Sequence, residues 1–346
     1  MHTKVTNLGE RAIIERIRNR VPPAAPPVLI GIGDDAAVLE PERGTLTVVT
    51  TDGLVEGTHF DRALSSAADI GHKALAVNLS DLAAMGATPR HALLSLVLPP
   101  AMLVQDVDQM IDALLALAAR HRTTLVGGNI TASASTSSGT GPLVVDIAAI
   151  GSAKRRGVLT RAAARPGDII YLSGTIGAAA AGLESLQCTK ETDGSRTDGL
   201  SMDGCRQRYR RPDPRVRLGA ALGRNRAAHA CIDLSDGLGD AVHQLTVASE
   251  VGARINANAV PIHPEARAWF IASGTDPVAN AVSGGEDYEL VFTAPPAFRG
   301  RLAHVKKQLG NIAITAIGVV TKEPDVVLHR DGIEAPLPAG FEHFAK

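Results

Sequence analysis

The sequence predicts a mixed α/β fold arranged in two domains. Short apolar runs alternate with amphipathic segments along the whole chain, which is typical of strands alternating with helices. The chain has 346 residues, enough for two hydrophobic cores. A stretch rich in Gly and Arg, residues 151–167, interrupts the alternation and is the candidate boundary. We therefore predict one domain over residues 1–155 and a second over residues 156–346.

The first domain is predicted to open with an amphipathic helix over residues 7–21. Asn7 can cap this helix, with Glu10 three residues later as in a capping box. Further strands are predicted where short apolar runs lie between turn residues, and helices where apolar residues recur every three or four positions. These are strands over 28–32, 46–51, 125–126 and 143–150, and helices over 69–85 and 104–121.

The second domain follows the same alternation, with one interruption. Strands are predicted over 169–173, 231–234, 289–293 and 312–320, and helices over 178–186, 238–249, 264–273 and 298–309. The segment 187–211 has few apolar residues and many Gly, Ser, Thr and Asp, which favours a mobile loop or lid.

Composition excludes several classes of protein. A net charge of −1 argues against a general nucleic-acid binder, because binding to a phosphate backbone requires a basic face. Three cysteines without CxxC spacing indicate a reducing compartment rather than a disulfide framework or a zinc ribbon. No apolar run reaches the roughly 18 residues of a membrane span, and the first residues have no apolar signal-peptide core. We expect a cytoplasmic protein without a membrane partner.

The candidate chemistry lies in aspartates near glycines, at or close to the ends of three predicted strands. Gly31–Asp35 places two carboxylates after one strand, and Thr50–Gly53 places another after the next. Glycine at such a position lets a backbone or a phosphate come close. In the second half, Cys231–Gly237 contains Asp233 and Asp236 within an otherwise apolar segment. Both halves are thus predicted to present a carboxylate at the end of a strand.

The predicted helix over 69–85 adds one more acid. Asn78 and Asp81 are three residues apart and share a face, whereas Leu75, Leu79 and Leu82 mark the face towards the core. A polar pair on so apolar a helix requires solvent or a partner.

Carboxylates that lie close together in one site repel one another, so such a cluster persists when cations neutralise it. Two unit charges 4 Å apart cost about 4 kcal/mol at an effective dielectric constant near 20. Oxygen ligands from Asp, Thr and Ser are hard, which favours Mg²⁺, and Mg²⁺ commonly holds nucleotide phosphates. The same residue types also cap helices and form turns, so spacing leaves that interpretation open. For Asp34 and Asp35 we expect one ligand and one local cap.

Familiar nucleotide-binding motifs are absent from the sequence. It has neither a GxxxxGK[ST] phosphate loop nor a protein-kinase glycine loop with its paired lysine. A phosphotransferase with this sequence would neutralise phosphate charge with metal ions rather than with lysine.

Six segments in this order resemble the thiamine-monophosphate kinase family. They are residues 31–35, 50–53 with His59, 78–86, 127–129, 233–237 and 283–290, and the resemblance runs from about residue 9 to Phe344. The family belongs to a superfamily with aminoimidazole ribonucleotide synthetase, selenophosphate synthetase and a hydrogenase maturation protein. The resemblance implies a two-domain aminoimidazole ribonucleotide synthetase-like fold. Its N-terminal domain would bind ATP and Mg²⁺ and dimerise through its sheet, and its C-terminal α/β domain would complete the site.

The resemblance also implies roles for individual residues. The implied magnesium ligands are Asp35, Thr50, Thr51, Asp52, Asp81, Asn129, Asp233 and Asp236. The implied ATP contacts are Gly128, Asn129, Arg161 and Ser235, and the implied thiamine phosphate contacts are His59, Glu286 and Phe341. Without the resemblance, an ordinary histidine, a solvated arginine and a packed phenylalanine would be the simpler interpretations of His59, Arg161 and Phe341.

One implied ligand departs from the family pattern. The family usually has Asp after the Gly-Gly pair, and this chain has Asn129. Asparagine keeps an oxygen ligand but loses a negative charge. Either one magnesium is held more weakly, or the chain belongs to a variant branch.

The resulting hypothesis is ATP-dependent phosphorylation of thiamine monophosphate to thiamine diphosphate by a homodimer. Transfer would be direct and in line, assisted by several Mg²⁺ ions, with no side chain acting as a general base. One alternative is another ATP-dependent synthetase of the superfamily, although selenophosphate synthesis is disfavoured because no Cys lies in the N-terminal segment. The other is a thiamine-phosphate or nucleotide-binding protein that has lost catalysis, which Asn129 prompts.

Overall fold

The computed structural model describes residues 3–136, 139–191, 200–310 and 312–341. The chain divides into two compact units, one of residues 1–82 with 88–153 and the other of residues 83–87 with 154–346. The first contains a four-stranded sheet and the second a seven-stranded sheet, each accompanied by helices. The predicted mixed α/β architecture is confirmed.

The first unit is built on the sheet order β3-β8-β4-β5. Strand β8 is antiparallel to both of its neighbours, and β4 is parallel to β5. The elements are α1 Val5–Leu8, α2 Glu10–Arg18, β1 Val28–Ile30, β2 Val38–Leu39, β3 Leu46–Val55, α3 Ala67–Ala84, β4 Thr88–Leu98, α4 Val104–Arg120, β5 Thr124–Ala132, β6 Ser135–Thr136, β7 Gly139–Thr140 and β8 Val144–Ala153.

Strand β4 is an element that the sequence analysis did not assign. Burial alternates along most of β4 and along the first part of β8, so this sheet has one buried face and one outer, partly exposed face. Leu96 on β4 and Ile147 on β8 are fully buried, as are Leu75 on α3 and Leu114 on α4. The core of this unit is therefore aliphatic, as expected for a chain with only 3% aromatic residues.

The second unit has the sheet order β10-β12-β9-β13-β11-β14-β15. All neighbouring pairs are antiparallel except β11 with β14. The elements are β9 Ile169–Ser173, α5 Ala178–Glu191, α6 Asp203–Arg210, α7 Val216–Asn225, β10 Cys231–Asp233, α8 Leu238–Ser249, β11 Gly252–Asn256, α9 Pro264–Ala272, α10 Pro277–Ser283, β12 Leu290–Ala294, α11 Arg299–Leu309, β13 Ile314–Thr321, β14 Val326–Arg330 and β15 Ile333–Pro336.

The predicted loop over 187–211 is wrong for much of its described part. Helix α5 continues to Glu191, and α6 follows over Asp203–Arg210. Cys205 and Tyr209, one helical turn apart, are buried and anchor an otherwise charged helix. A Cβ on Gly182 of α5 would lie 2.3 Å from the Cys205 carbonyl oxygen, so the two helices pack closely. Residues 192–199 lie outside the described residues.

The predicted N-terminal helix is interrupted at Gly9. This residue has φ +82°, which separates α1 from α2, and it occupies the N-cap position of α2 without a side-chain hydrogen bond. The predicted cap by Asn7 is therefore wrong. The apolar face predicted for this amphipathic helix is confirmed at Ile13 and Ile17, which are both buried.

In the part of the chain that the structure describes, no helix combines the length and apolarity needed to cross a bilayer. Cys188, Cys205 and Cys231 are free cysteines.

Close packing of α3 against α4 depends on Gly71. A Cβ added there would lie 2.0 Å from the Met110 carbonyl oxygen. We expect Gly71→Ala to lower the free energy of unfolding by about 1–3 kcal/mol, because the helices must separate. Gly300→Ala, in α11 with nothing within 4 Å of the added Cβ, should instead raise it by up to about 1 kcal/mol. Urea unfolding followed by circular dichroism measures both, and equal stability of the two variants would contradict this packing.

Candidate functional site

In the first unit, buried Asn78 joins helix α3 to strand β3. Its Oδ1 accepts the Asp52 backbone N–H at 3.0 Å, and its Nδ2 donates to the Ala74 carbonyl at 3.0 Å. Its side chain is fully buried. One turn further along α3, Asp81 accepts a hydrogen bond from the Thr50 hydroxyl. The polar pair that the sequence placed on this apolar helix thus finds its partners in β3.

Strand β3 is longer than predicted. It pairs with β8 from Leu46 to Val55, so Thr51 and Asp52 lie within the strand and not beyond its end. The prediction of a carboxylate at a strand end is therefore wrong for Asp52. Because consecutive strand residues alternate in direction, Thr51 faces away from α3. Its hydroxyl donates to Asp146 Oδ1 on β8 at 3.0 Å.

A cavity of about 700 Å³ lies in the first unit, where β4, β5 and β8 meet the segment that leads into β2. It brings together four of the predicted site residues with Asp146. These lining residues are Asp35, Thr51, Gly128, Asn129 and Asp146.

Two local features shape this cavity. Asp34 accepts the Asp35 backbone N–H at 2.8 Å in the segment between β1 and β2, where no helix begins, and both aspartates line the cavity. That one of them is a ligand and the other a local cap stays a prediction. A Cβ on Gly128 would lie 1.8 Å from the Leu94 carbonyl oxygen, so only glycine lets β5 lie this close to β4.

His59 is oriented by two contacts within the first unit. Its Nδ1 accepts the Val55 backbone N–H at 3.1 Å, so the proton of the neutral ring lies on Nε2. Its carbonyl accepts a hydrogen bond of 3.1 Å from the ammonium of Lys73, which is only 2% exposed. His59 is therefore held at both its ring and its backbone.

In the second unit, the turn after β10 collects four predicted residues. The Glu286 N–H donates to the Ser235 carbonyl at 2.6 Å, and the Phe341 N–H donates to the Asp236 carbonyl at 3.0 Å. Asp233, the last residue of β10, is 4% exposed and pairs with Leu290. The structure thus brings Ser235, Asp236, Glu286 and Phe341 together at the end of this strand.

The segment that carries Glu286 has an unusual backbone. Glu286 and Tyr288 have φ of +67° and +49°, the left-handed region that residues other than glycine seldom adopt. Between them, buried Asp287 accepts the N–H groups of Gly177 and Ala179 at 2.6 and 3.1 Å. Burial raises the pKa of Asp287 to about 7, although these N–H groups oppose the shift. The contacts of Asp287 compensate for the strained backbone on either side of it.

Glu289 is the second anchor of this segment. It is fully buried and forms salt bridges with Arg215 and with Arg208, the latter at 2.6 Å. Ser173 on β9 also donates to its carboxylate, at 2.5 Å. Arg208 lies in α6, inside the stretch predicted as a lid, so this part of the stretch has a structural role. Sequence analysis missed Glu289 and both arginines, because only the fold brings them together.

Arg161 and a Cys-His-Glu trio lie in other parts of the second unit. Arg161 is exposed and donates to Gln244 on α8, and this contact leaves its predicted role towards ATP untested. Cys205, His263 and Glu265 place possible metal-ligand atoms within 4.8 Å of one another. Burial raises the pKa of the Cys205 thiol to about 12, and its backbone N–H already donates to Glu265 at 3.0 Å. We interpret this trio as a hydrogen-bonded cluster between α6 and α9.

The predicted ligands fall into two sets, one in each unit. Asp35, Thr50, Thr51, Asp52, Asp81 and Asn129 belong to the first unit, and Asp233 and Asp236 belong to the second. That the two sets hold the same cations stays a prediction. Asp146 was not in the predicted set; an aspartate within the apolar run of residues 143–150 was the signal that could have identified it.

Family models match most of the chain in two parts. The model described as AIR synthase related protein, N-terminal domain, matches residues 33–153. The model described as AIR synthase related protein, C-terminal domain, matches residues 165–331.

Individual proteins match the chain over nearly its full length. The thiamine-monophosphate kinase of Escherichia coli (strain K12) is 39% identical over 354 residues, covering 97% of this chain and 98% of that protein. A crystal structure of the thiamine-monophosphate kinase from Stenotrophomonas maltophilia K279a is 37% identical with a TM-score of 0.79, covering 97% of this chain and 99% of that one. The structure of AaThiL complexed with AMPPCP and TMP is 30% identical with a TM-score of 0.74, covering 99% of each chain.

The buried ion pairs of Glu289 predict that replacing its carboxylate with an amide of similar size lowers the stability of the protein. Glu289→Gln removes the fully buried carboxylate that pairs with Arg208 and Arg215, whose side chains are only 20% and 14% exposed, and leaves Arg215 with the exposed carboxylate of Asp213. It should lower the free energy of unfolding by about 3 kcal/mol. Arg254→Gln removes an exposed pair with Glu334 and should cost less than about 1 kcal/mol. Urea unfolding compares the two variants. A loss below 1 kcal/mol for Glu289→Gln would mean that these salt bridges do not stabilise the second unit.

Proposed function

Because the chain belongs to the thiamine-monophosphate kinase family, we propose that it uses ATP to phosphorylate thiamine monophosphate to thiamine diphosphate. The observation that carries this proposal is the full-length match to a kinase structure that holds AMPPCP and TMP. The first-unit cavity supports it, because it gathers Asp35, Thr51 and Asn129 beside Gly128. The chain is thus a phosphotransferase whose acceptor is itself a phosphate group.

The donor atoms of the candidate site fit magnesium. They are carboxylate, hydroxyl and amide oxygens, without the thiolate or imidazole donors that favour softer metals. The residues proposed to hold Mg²⁺ are Asp35, Thr50, Thr51, Asp52, Asp81, Asn129, Asp233 and Asp236. Bound Mg²⁺ would neutralise phosphate charge and so reduce the repulsion between the two anionic reactants.

The side chains of this protein would bind and orient the two substrates. Gly128, Arg161 and Ser235 are proposed to contact ATP. Gly128 lines the cavity beside Asn129, and Arg161 is suited to this role because its guanidinium can bind phosphate oxygens. The acceptor oxygen is already ionised, so the protein does not need a general base, and its contribution is alignment.

Thiamine phosphate is proposed to contact His59, Glu286 and Phe341. With Nδ1 engaged by Val55, His59 would donate from Nε2 to an anionic oxygen of the substrate. Thiamine carries an aminopyrimidine and a cationic thiazolium, which suit the carboxylate of Glu286. Phe341, 55% exposed, could cover a substrate ring and add about 0.5–2 kcal/mol of cation–π attraction.

An assay of ADP release with and without thiamine monophosphate tests the function. Release that depends on thiamine monophosphate supports the kinase. Release with a different acceptor would support another synthetase of the superfamily, and binding of both ligands without release would support a protein that has lost catalysis. Either of these outcomes would overturn the proposal.

The proposed ligands can be tested one unit at a time. We expect Asp52→Asn and Asp233→Asn each to lower turnover on the order of a hundredfold or more, because each removes a charge that would hold metal and phosphate. Asparagine has nearly the same size and shape as aspartate, so the thermal unfolding midpoint should change little. Exposed Asp112 and Asp325, one in each unit, provide matched controls as Asp→Asn variants. Near wild-type turnover of either site variant would refute the metal assignment.

We also propose a cytoplasmic homodimer that associates through the first unit. Exposed large apolar side chains of this unit lie on β1, β2 and β3, namely Leu29, Ile30, Val38 and Val49. Apolar side chains that a monomer leaves in water are typical of an interface. The free cysteines support a reducing compartment.

Val49 offers a direct test of that interface. It is 64% exposed on β3, and Val49→Glu should shift the protein from dimer to monomer because a carboxylate would be buried without a partner. Val247→Glu, at a position that is 78% exposed on α8 of the second unit, is the matched control and should remain dimeric. Size-exclusion chromatography with light scattering gives both masses. A dimeric Val49→Glu variant would place the interface elsewhere.

A further inference from the structure

Asn129 leaves the proposed metal site one negative charge short of the usual family pattern. The sheet of the first unit places another acid close by. Ser95 on β4 is the register partner of Asn129 on one side and of Asp146 on the other. Directly paired residues project to the same face of a sheet, and both Asn129 and Asp146 line the same cavity. Asp146 on β8 thus offers a carboxylate two strands away from Asn129 on β5, where the family usually has one.

The distance between the side-chain oxygens of Asp146 and Thr51 suits two ligands of one cation. Its Oδ1 lies 3.0 Å from the Thr51 hydroxyl oxygen. Adjacent oxygens around an octahedral Mg²⁺ with bonds of about 2.05 Å are about 2.9 Å apart. Thr51 is one of the proposed ligands, so this pair needs little movement to share one cation.

Nothing else in the described structure accounts for a charge at this position. Asp146 lies on a strand between Val145 and Ile147, and aspartate is disfavoured in strands. In residues 3–136, 139–191, 200–310 and 312–341, it forms no salt bridge with Lys, Arg or His, and its carboxylate accepts from the neutral Thr51 hydroxyl. Asp35 also lines this cavity, and two carboxylates that share one cavity favour a bound cation there.

We propose that Asp146 is a magnesium ligand that supplies the carboxylate Asn129 lacks, so that Thr51, Asn129 and Asp146 together hold one cation. The inference rests on the proposed function of the site. On this proposal the magnesium site is not weakened, because a carboxylate on β8 takes the place of the carboxylate that the family usually has on β5. The chain would then be a competent kinase with a rearranged ligand set, and not a binding protein that has lost catalysis.

Binding of Mn²⁺ to the full chain, followed by electron paramagnetic resonance, tests this without turnover. Asp146→Asn keeps an oxygen that can accept the Thr51 hydrogen bond but removes the charge, so the Mn²⁺ affinity of one site should fall about 10–100-fold. Adding Asn129→Asp to that variant returns the charge to β5. The Mn²⁺ affinity of the double variant should recover to within about threefold of the wild-type affinity. Such a recovery would show that the two positions are strongly coupled.

Control variants distinguish failure of the Asp146 proposal from failure of the proposed kinase function. Asp112→Asn removes an exposed aspartate on α4 outside the cavity and should leave Mn²⁺ binding unchanged. Unchanged affinity in Asp146→Asn, or a loss that Asn129→Asp does not repair in a variant with wild-type circular dichroism, would overturn the role of Asp146. Either result leaves the kinase proposal standing. Conversely, a wild type that binds Mn²⁺ through Asp146 but never releases ADP with thiamine monophosphate would refute the kinase alone.

Discussion

The hydrogen bonds of Asn78 are the constraint on which the first half of the site depends. A fully buried amide must satisfy its polar atoms within the protein, since an unpaired one would cost about 1–3 kcal/mol. Asn78 does so by holding the Asp52 backbone on one side and its own helix on the other. This fixes β3 against α3, brings Thr50 to Asp81, and directs Thr51 to the opposite face of the sheet. The proposed ligands are therefore positioned by a residue that need not touch the metal.

The second unit fixes its part of the site by buried charge. Fully buried Glu289 pairs with both Arg208 and Arg215, so its charge is compensated in the interior by two guanidinium groups. Asp287 holds the start of α5 by hydrogen bonds that it accepts from two backbone N–H groups. On either side of Asp287, Glu286 and Tyr288 have positive φ, and the Glu286 backbone lies next to Ser235. The polar stretch before α7 contributes Arg208 to this arrangement, which explains why a charged helix is retained there.

A site built from oxygen ligands and backbone geometry tolerates exchange of ligands between strands. What a cation requires is total charge and oxygen spacing, and neighbouring strands of one sheet can supply either from several positions. Asn129 and Asp146 flank the same residue of β4, so a carboxylate on β8 can replace one on β5 with little change in the cavity. Such an exchange changes the motif without changing the chemistry of the site.

The sequence by itself determined the fold class, the family and most helices. Helix α8 begins and ends as predicted, and α3 and α4 lie within two residues of prediction, because helical periodicity is a local property. It also identified most candidate acids, since Asp beside Gly is a local pattern. It failed for α6, whose burial depends on α5, and for the length of β3, whose end is set by pairing with β8. Only the tertiary structure could place Asp146 beside Thr51 or Arg208 beside Glu289, because residues distant in sequence become partners through strand register and helix packing.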